Sequence, residues 1–236
     1  MGFSGIRVSG LSRAYEDEYA LVGLDADFPA GTVTAVLGPN GAGKSTLLHL
    51  LSLLSRPTEG RVIFDGREAN TLLARDRARV GYVGHQTMLY SALSGEENLA
   101  FFGRIYGVPE LKERVSEQLR AVGLADEGSR PVREYSRGMK QRLTIARALL
   151  PRPDVLLLDE PFTGLDQGAL REMVRLFSAA RERGAAIILV SHDLSTSSTL
   201  ADRALVLRAG RKMLETDVHG DLGAVYQNAL ASKGAA

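Results

Sequence analysis

The stretch TVTAVLGPNGAGKSTLLHLLSLL, residues 32–54, constrains this chain more than any other. A β-branched apolar run leads through a glycine-rich loop into a leucine-rich run, the order expected of a strand, a tight loop and a helix. Residues 38–46, GPNGAGKST, satisfy G-x-x-x-x-G-K-[ST] through Gly38, Gly43, Lys44 and Ser45. Glycine opens backbone torsions closed to other residues, so several N–H groups can converge on phosphate oxygens. In this pattern Pro39, Asn40, Gly41 and Ala42 fill out the cradle, and Lys44 reaches the β- and γ-phosphates. Ser45 ligates Mg²⁺ and Thr46 stands at the helix start. A bare pattern of this kind also arises as a chance glycine turn. The strand before it and the helix after it favour nucleotide binding and an α/β fold.

A phosphoryl-transfer site needs an acidic residue at the end of a second buried strand. VLLLDE, residues 155–160, supplies two: Asp159 to hold Mg²⁺ through its water shell and Glu160 to accept a proton from an attacking water. A solvated pair at a strand end is the alternative. Two more strand-like runs close on polar residues, VGYVGHQ on Gln86 and AAIILVSH on His192, and parallel strand ends gather at one crevice. Gln86 is expected to orient water or touch the metal, and His192 to hydrogen-bond the γ-phosphate.

Such binding has to be local, because 29 basic residues against 28 acidic ones create no global field for nucleic acid or an anionic bilayer. The absence of cysteine excludes disulfides and thiolate chemistry. No signal peptide is visible at the start, and the longest greasy runs, LLHLLSLL and AAIILV, fall short of the roughly 20 residues that span a bilayer. Membrane association would need a partner.

The 236 residues suit one α/β domain. Its first 37 residues read as short β-like pieces. Three helical patterns then follow one another, SGEENLAFFGRIYG, ELKERVSEQLRAVGL and RGMKQRLTIARALL, predicting a helical insertion over about 88–150. The α/β core is expected over 1–87 and 151–215, with a short tail over 216–236. A helix is predicted at about 167–183, where Leu170, Met173, Val174 and Phe177 form a core stripe. The all-apolar strands fit a parallel sheet covered on both faces.

One short stretch, EYSRGMKQR at 134–142, places Ser136 and Gly138 at the start of a helix, which is either an ordinary serine cap among solvated charges or an anion site. Taken together, six elements resemble one family, the nucleotide-binding subunits of ATP-binding cassette transporters. They are the Walker A loop GPNGAGKST, the Gln86 loop, the signature-like YSRGMKQR, the Walker B strand VLLLDE, the D-loop PFTGLD with Asp166, and the switch His192. The resemblance implies a P-loop ATPase fold with a RecA-like parallel core, an N-terminal antiparallel β subdomain and a helical insertion. It implies ATP and Mg²⁺ as cofactors, and head-to-tail pairing with a second ATPase subunit, a copy of this one or a paralogue. Ser136 and the N–H of Gly138 would then meet the γ-phosphate bound by the partner's Walker A loop. Tyr135, Arg137 and Met139 depart from the family's LSGGQ. Tyr15 is the candidate for stacking on adenine, with Tyr19 as competitor.

The resemblance further implies integral-membrane permease subunits as partners, residues 87–106 as the surface facing them, no nucleic acid, and a peripheral place on the cytoplasmic face of the inner membrane. YVGHQTMLYSALSGEENLAFFGRIYGV and DEPFTGLD look like the ATPase of the haem exporter in cytochrome c maturation. A second reading is the ATPase of another small exporter with lipid, drug or polysaccharide cargo; a third is a mechanical switch without a permease. His85 is expected to help the Gln86 loop or to pack at a strand end, and is not expected to bind metal.

Overall fold

The structure is a computed structural model, and it describes residues 2–16, 18–72 and 74–231. The N-terminal region forms β1 (Gly5–Tyr15) and β2 (Glu18–Pro29), longer strands than the sequence suggests, paired antiparallel with register shifts between Val8 and Ala14. These irregularities let the pair bend while Ile6, Val8, Leu11, Leu21, Leu24 and Phe28 stay buried. Next come β3 (Val33–Leu37) and α1 (Lys44–Leu51). Two helical turns do not persist alone in water. Leu47, Leu48, Leu50 and Leu51 are all buried, each worth roughly 1.5–3 kcal/mol of apolar burial, and this packing holds the helix.

The strands β4 (Glu59–Phe64) and β5 (Arg67–Glu68) complete an antiparallel sheet of order β2-β1-β4-β5. The charged segment after it forms two 3₁₀ turns before β6 (Val80–Val83). Three helices then follow without an intervening strand: α2 (Gly95–Ile105), α3 (Leu111–Ala121) and α4 (Arg137–Leu149). The chain returns through β7 (Val155–Asp159), α5 (Gln167–Glu182), β8 (Ala186–Val190), α6 (Leu194–Ser198), β9 (Arg203–Arg208), β10 (Arg211–Asp217) and α7 (Leu222–Ala231).

The second sheet has the order β10-β9-β3-β8-β7-β6, parallel throughout except for the β9–β10 hairpin at its edge. Its central strands are buried along their whole length and separate two cores. Along β7, Leu156 and Leu158 join one core while Val155 and Leu157 join the other, and β8 divides Ile187 and Leu189 from Ile188 and Val190 in the same way. This is the period-two alternation of a strand with both faces covered. One core packs under α1 and the antiparallel sheet; the other packs under α4 and α5, where Met173 and Phe177 are fully buried.

Register sets the functional edge. Leu158 lies opposite Val83 and Asp159 opposite Val190, so the residues that follow β3, β6, β7 and β8 emerge together at the carboxyl end of the sheet.

Candidate nucleotide site

The glycine loop leaves β3 at Leu37 and enters α1 at Lys44. Gly43, the residue that caps α1, has φ +98°, and a Cβ there would lie 2.4 Å from the Ala20 carbonyl oxygen. Only glycine fits between this loop and β2. The Lys44 ammonium folds back on its own loop, donating to the carbonyls of Gly38 at 2.8 Å and Pro39 at 3.0 Å. Burial pulls this ammonium below its ordinary value, and the nearby carboxylates of Glu160 and Asp159 push it back up. A cation so placed gains from an anionic ligand that supplies what desolvation removed.

Two clefts of about 400 and 580 Å³ meet at this edge and share His85, Asp159, Glu160 and His192. The first is lined by Asn40–Thr46, with Ala20 and Val190; the second extends to Arg137, Lys140, Gln141 and Thr163. Asp159 ends β7 almost fully buried, and its carboxylate accepts no hydrogen bond among the described residues. Glu160 stands one residue past the strand with φ +51°, a left-handed conformation that costs a non-glycine residue about 1 kcal/mol. Several contacts hold it there. Its N–H donates to the Val190 carbonyl at 2.8 Å, and its carboxylate accepts from the His192 N–H at 3.2 Å and the Ser191 hydroxyl at 3.4 Å. The His192 Nε2 lies 3.6 Å from Glu160 Oε1 on a largely exposed ring.

Not every expected residue arrives. Gln86 was expected to close a strand, yet β6 ends at Val83 and the chain bends at residues 85 and 86, so the strict in-and-out alternation of a strand is lost. Gln86 is exposed and lines neither cleft, whereas His85 lines both. His85 is exposed too, so it is not a packed strand-end residue. Tyr15 is half exposed beneath the Arg13 guanidinium, 4.8 Å from its ring centroid, and Tyr19 donates to Glu59 at 3.1 Å. Neither lines the cleft, where Ala20 represents the antiparallel sheet.

The signature-like stretch lies on the other lip. Ser136 caps α4, its hydroxyl oxygen accepting from the Met139 N–H at 3.2 Å. Tyr135 is buried, and its hydroxyl donates to the Glu127 carbonyl at 2.6 Å. Gly138 faces the D-loop of its own chain: a Cβ there would lie 2.7 Å from the Gly164 carbonyl oxygen, and the Arg137 side chain lies over Gly164. Gln141 donates to the Pro161 carbonyl at 3.0 Å, so the start of α4 is tied directly to the segment after Glu160. Asp166 caps α5 by accepting from the Ala169 N–H at 2.9 Å, and that bond holds its carboxyl below the usual range.

Neither Ser136 nor Gly138 nor Asp166 lines the phosphate-loop cleft of its own chain. A family profile described as ABC transporter matches residues 21–163, more than half of the chain. The chain belongs to this family. The chain is 40% identical over 217 residues to the daunorubicin resistance ATP-binding protein DrrA3 of Streptomyces coeruleorubidus, covering 91% of this chain and 69% of that protein. It is 35% identical over 215 residues to the lantibiotic transport ATP-binding protein SrtF of Streptococcus pyogenes, covering 91% and 92%. The dimeric, post-hydrolysis structure of the ATP-binding cassette MJ0796 bound to ADP and phosphate superposes with a TM-score of 0.81 at 26% identity, covering 91% and 99%. The ABC fold and its ATPase chemistry are therefore those of this chain: it is an ATP-binding, ATP-hydrolysing transporter subunit. Among the described residues no helix is long and apolar enough to cross a membrane.

Proposed function

We propose that this cassette drives export of an amphipathic drug-like molecule or a peptide through a separate permease, and that two copies pair head to tail around two ATP molecules. What carries the pairing is the division of the site between two lips: residues 40–46, Asp159, Glu160 and His192 line one depression, while Ser136 and Gly138 line neither cleft of their own chain.

In this reading the N–H groups of residues 41–46 cradle the phosphates and Lys44 turns from its own loop carbonyls to the β- and γ-phosphates. The Ser45 hydroxyl and the unpaired Asp159 carboxylate are the oxygen donors for Mg²⁺, and Gln86 reaches it if its loop closes. Among the described residues there is no group of three acidic or histidine side chains fit to hold a metal by themselves. That donor set suits a cation bound mainly by phosphate oxygens and water. Mg²⁺ would neutralise charge developing on the phosphates. Glu160, held in its strained turn, accepts the proton of the attacking water, and His192, within reach of Glu160, donates to the γ-phosphate. The hydroxyl of Ser136 keeps its own hydrogen free to donate while its oxygen caps α4. Asp166 sits where two D-loops would cross.

The partner surface lies over residues 87–106, where Met88, Tyr90 and Ile105 are large, apolar and exposed. A peripheral position at the cytoplasmic face of the inner membrane follows from docking there. Cargo rests on the relatives: one is named for daunorubicin resistance and the other for lantibiotic transport. The haem reading rests on the likeness of YVGHQTMLYSALSGEENLAFFGRIYGV and DEPFTGLD to a haem-exporter ATPase, and neither relative supports it. Co-purification of the Glu160→Gln variant from detergent-solubilised membranes identifies the permease, and uptake into inverted vesicles carrying that permease with the unmodified, hydrolysing cassette decides between them. Accumulation of an anthracycline or a cationic peptide is the expected result. Capture of cytochrome c maturation permeases with haem-stimulated hydrolysis would replace it.

A further inference from the structure

Among α2, α3 and α4 most polar groups bond within the layer; Gln141 reaches the Pro161 carbonyl and Arg147 reaches β6. Arg147, in the last turn of α4, is 5% exposed and enters no ion pair among the described residues. Its Nη2 donates to the Tyr82 carbonyl at 2.9 Å, its guanidinium carbon lies 5.0 Å from the Phe102 ring centroid, and its buried Nε has no hydrogen-bond partner. A buried charge without a carboxylate is a poor stabiliser, since an apolar side chain of similar volume is often as good or better. What a guanidinium offers instead is shape: a rigid donor fork on one edge and a flat cationic face for a ring.

Both ends of this clamp lead somewhere. Tyr82 is the penultimate residue of β6, its ring lies against Gly84, and it meets His49 of α1 edge-on at 5.9 Å. On the other side Phe102 packs on Phe101 at 5.3 Å and Phe101 on Tyr90 at 4.9 Å, a row of rings that reaches the exposed surface proposed to meet the permease.

We propose that Arg147 is a positioning residue: its guanidinium fixes the Tyr82 carbonyl to the Phe102 ring and so sets the path of the loop 84–86, from which His85 enters the nucleotide cleft. The inference rests on the reading of that loop as part of the site, so it is tested by geometry as well as by rate. The sequence has no cysteine, so spin labels can be placed at Gln86→Cys and Arg175→Cys without background. Their distance distribution is measured by pulsed electron resonance with and without Arg147→Met. A control pair uses Arg208→Cys and Arg175→Cys.

Arg147→Met should at least double the width of the distribution from position 86 and leave the control pair unchanged. In unlabelled protein it should lower kcat about tenfold while KM for ATP stays within about threefold, because residues 38–46 are untouched. Arg147→Lys should fail to restore kcat, since an ammonium has neither the fork nor the flat face. An unchanged distribution at position 86, or equal broadening of both pairs, would overturn the proposal in favour of no role or of general loosening. Should Arg147→Met fail to fold, Phe102→Leu removes the stacking ring alone and must give the same local broadening, or the proposal falls. A broadened loop with unchanged kcat would support the clamp and overturn the place of residues 84–86 in the site.

Discussion

The cleft at the carboxyl edge of the parallel sheet and the helical layer α2–α4 treat polar groups in opposite ways. In the helical layer nearly all are consumed. The fully buried Asn98 accepts from the Tyr90 N–H at 2.8 Å and donates to the Tyr90 and Ser94 carbonyls at 3.0 and 2.8 Å, and Ser94 with Glu97 completes a capping box. Arg142 donates to the carbonyls of Val122 and Gly123, and Arg114 to those of Leu149 and Leu150. At the cleft the buried Asp159 carboxylate makes no side-chain hydrogen bond among the described residues, and Glu160 is held at positive φ. A folded chain normally satisfies its buried polar groups. A buried carboxylate left free, beside a backbone held under strain, marks a place suited to binding a ligand.

The largest break in that contrast should come from Glu160→Gln, which keeps the shape of the cleft and removes the proton acceptor. Steady-state hydrolysis should fall by about 10² to 10⁴, the usual contribution of a general base, while ATP binding measured by equilibrium fluorescence persists. Removing a helical-layer carboxylate, as in Glu97→Ala, should cost stability and leave kcat alone, because its acceptor role in the capping box is structural.

His85 and Gln86 sharpen the comparison at smaller amplitude. His85→Ala is expected to lower kcat about tenfold in the isolated ATPase, and Gln86→Ala by less, since only His85 lines both clefts. A larger loss from Gln86→Ala would mean that the bend after Val83 rearranges when nucleotide binds.

The smallest effect is expected from acid, which should act on both regions alike. Asp193, held low chiefly by the Thr196 hydroxyl, and Asp166, held low by the Ala169 N–H, cap helices beside the cleft. Glu117, held low by Arg114, belongs to the helical layer. Each folded-state value lies below its unfolded one, so the stability these groups contribute is complete above about pH 4–5 and lost as pH falls through the folded values. Thermal melting should therefore be flat in these groups from pH 5 to 7 and decline by a few degrees toward pH 3. Asp193→Asn should remove part of that decline.

The contrast also explains what the sequence disclosed. The phosphate loop was legible because its glycines are demanded by close backbone approach, and a spacing of five residues records that demand. Strands β7 and β8 were legible because burial on both faces leaves an unbroken apolar run. The bend after Val83 was not: His85 and Gln86 are neighbours in sequence, and which of them lines the cleft depends on a turn that no local pattern specifies. Arg147 was equally hidden, since ARALL reads as a helix end with a solvated arginine until β6 and Phe102 are seen closing over it. The departures from the signature pattern acquired reasons only in three dimensions. Tyr135 fills the helical core, and Arg137 covers the glycine of the D-loop.

The division of one site between two lips is tested most directly by the mass of the Glu160→Gln protein in solution, measured by light scattering with and without ATP and with Ser136→Asp added. Aspartate caps a helix as well as serine does and carries a charge repelled by phosphate, so this second change spares the fold. Gly138→Asp would be a poorer choice, because any side chain there strikes the Gly164 carbonyl of its own chain. The account predicts an ATP-dependent dimer for Glu160→Gln, and a monomer that still binds ATP when Ser136→Asp is added. A double variant that dimerises as well as the single one would contradict it, since Ser136 would then face no phosphate across the interface.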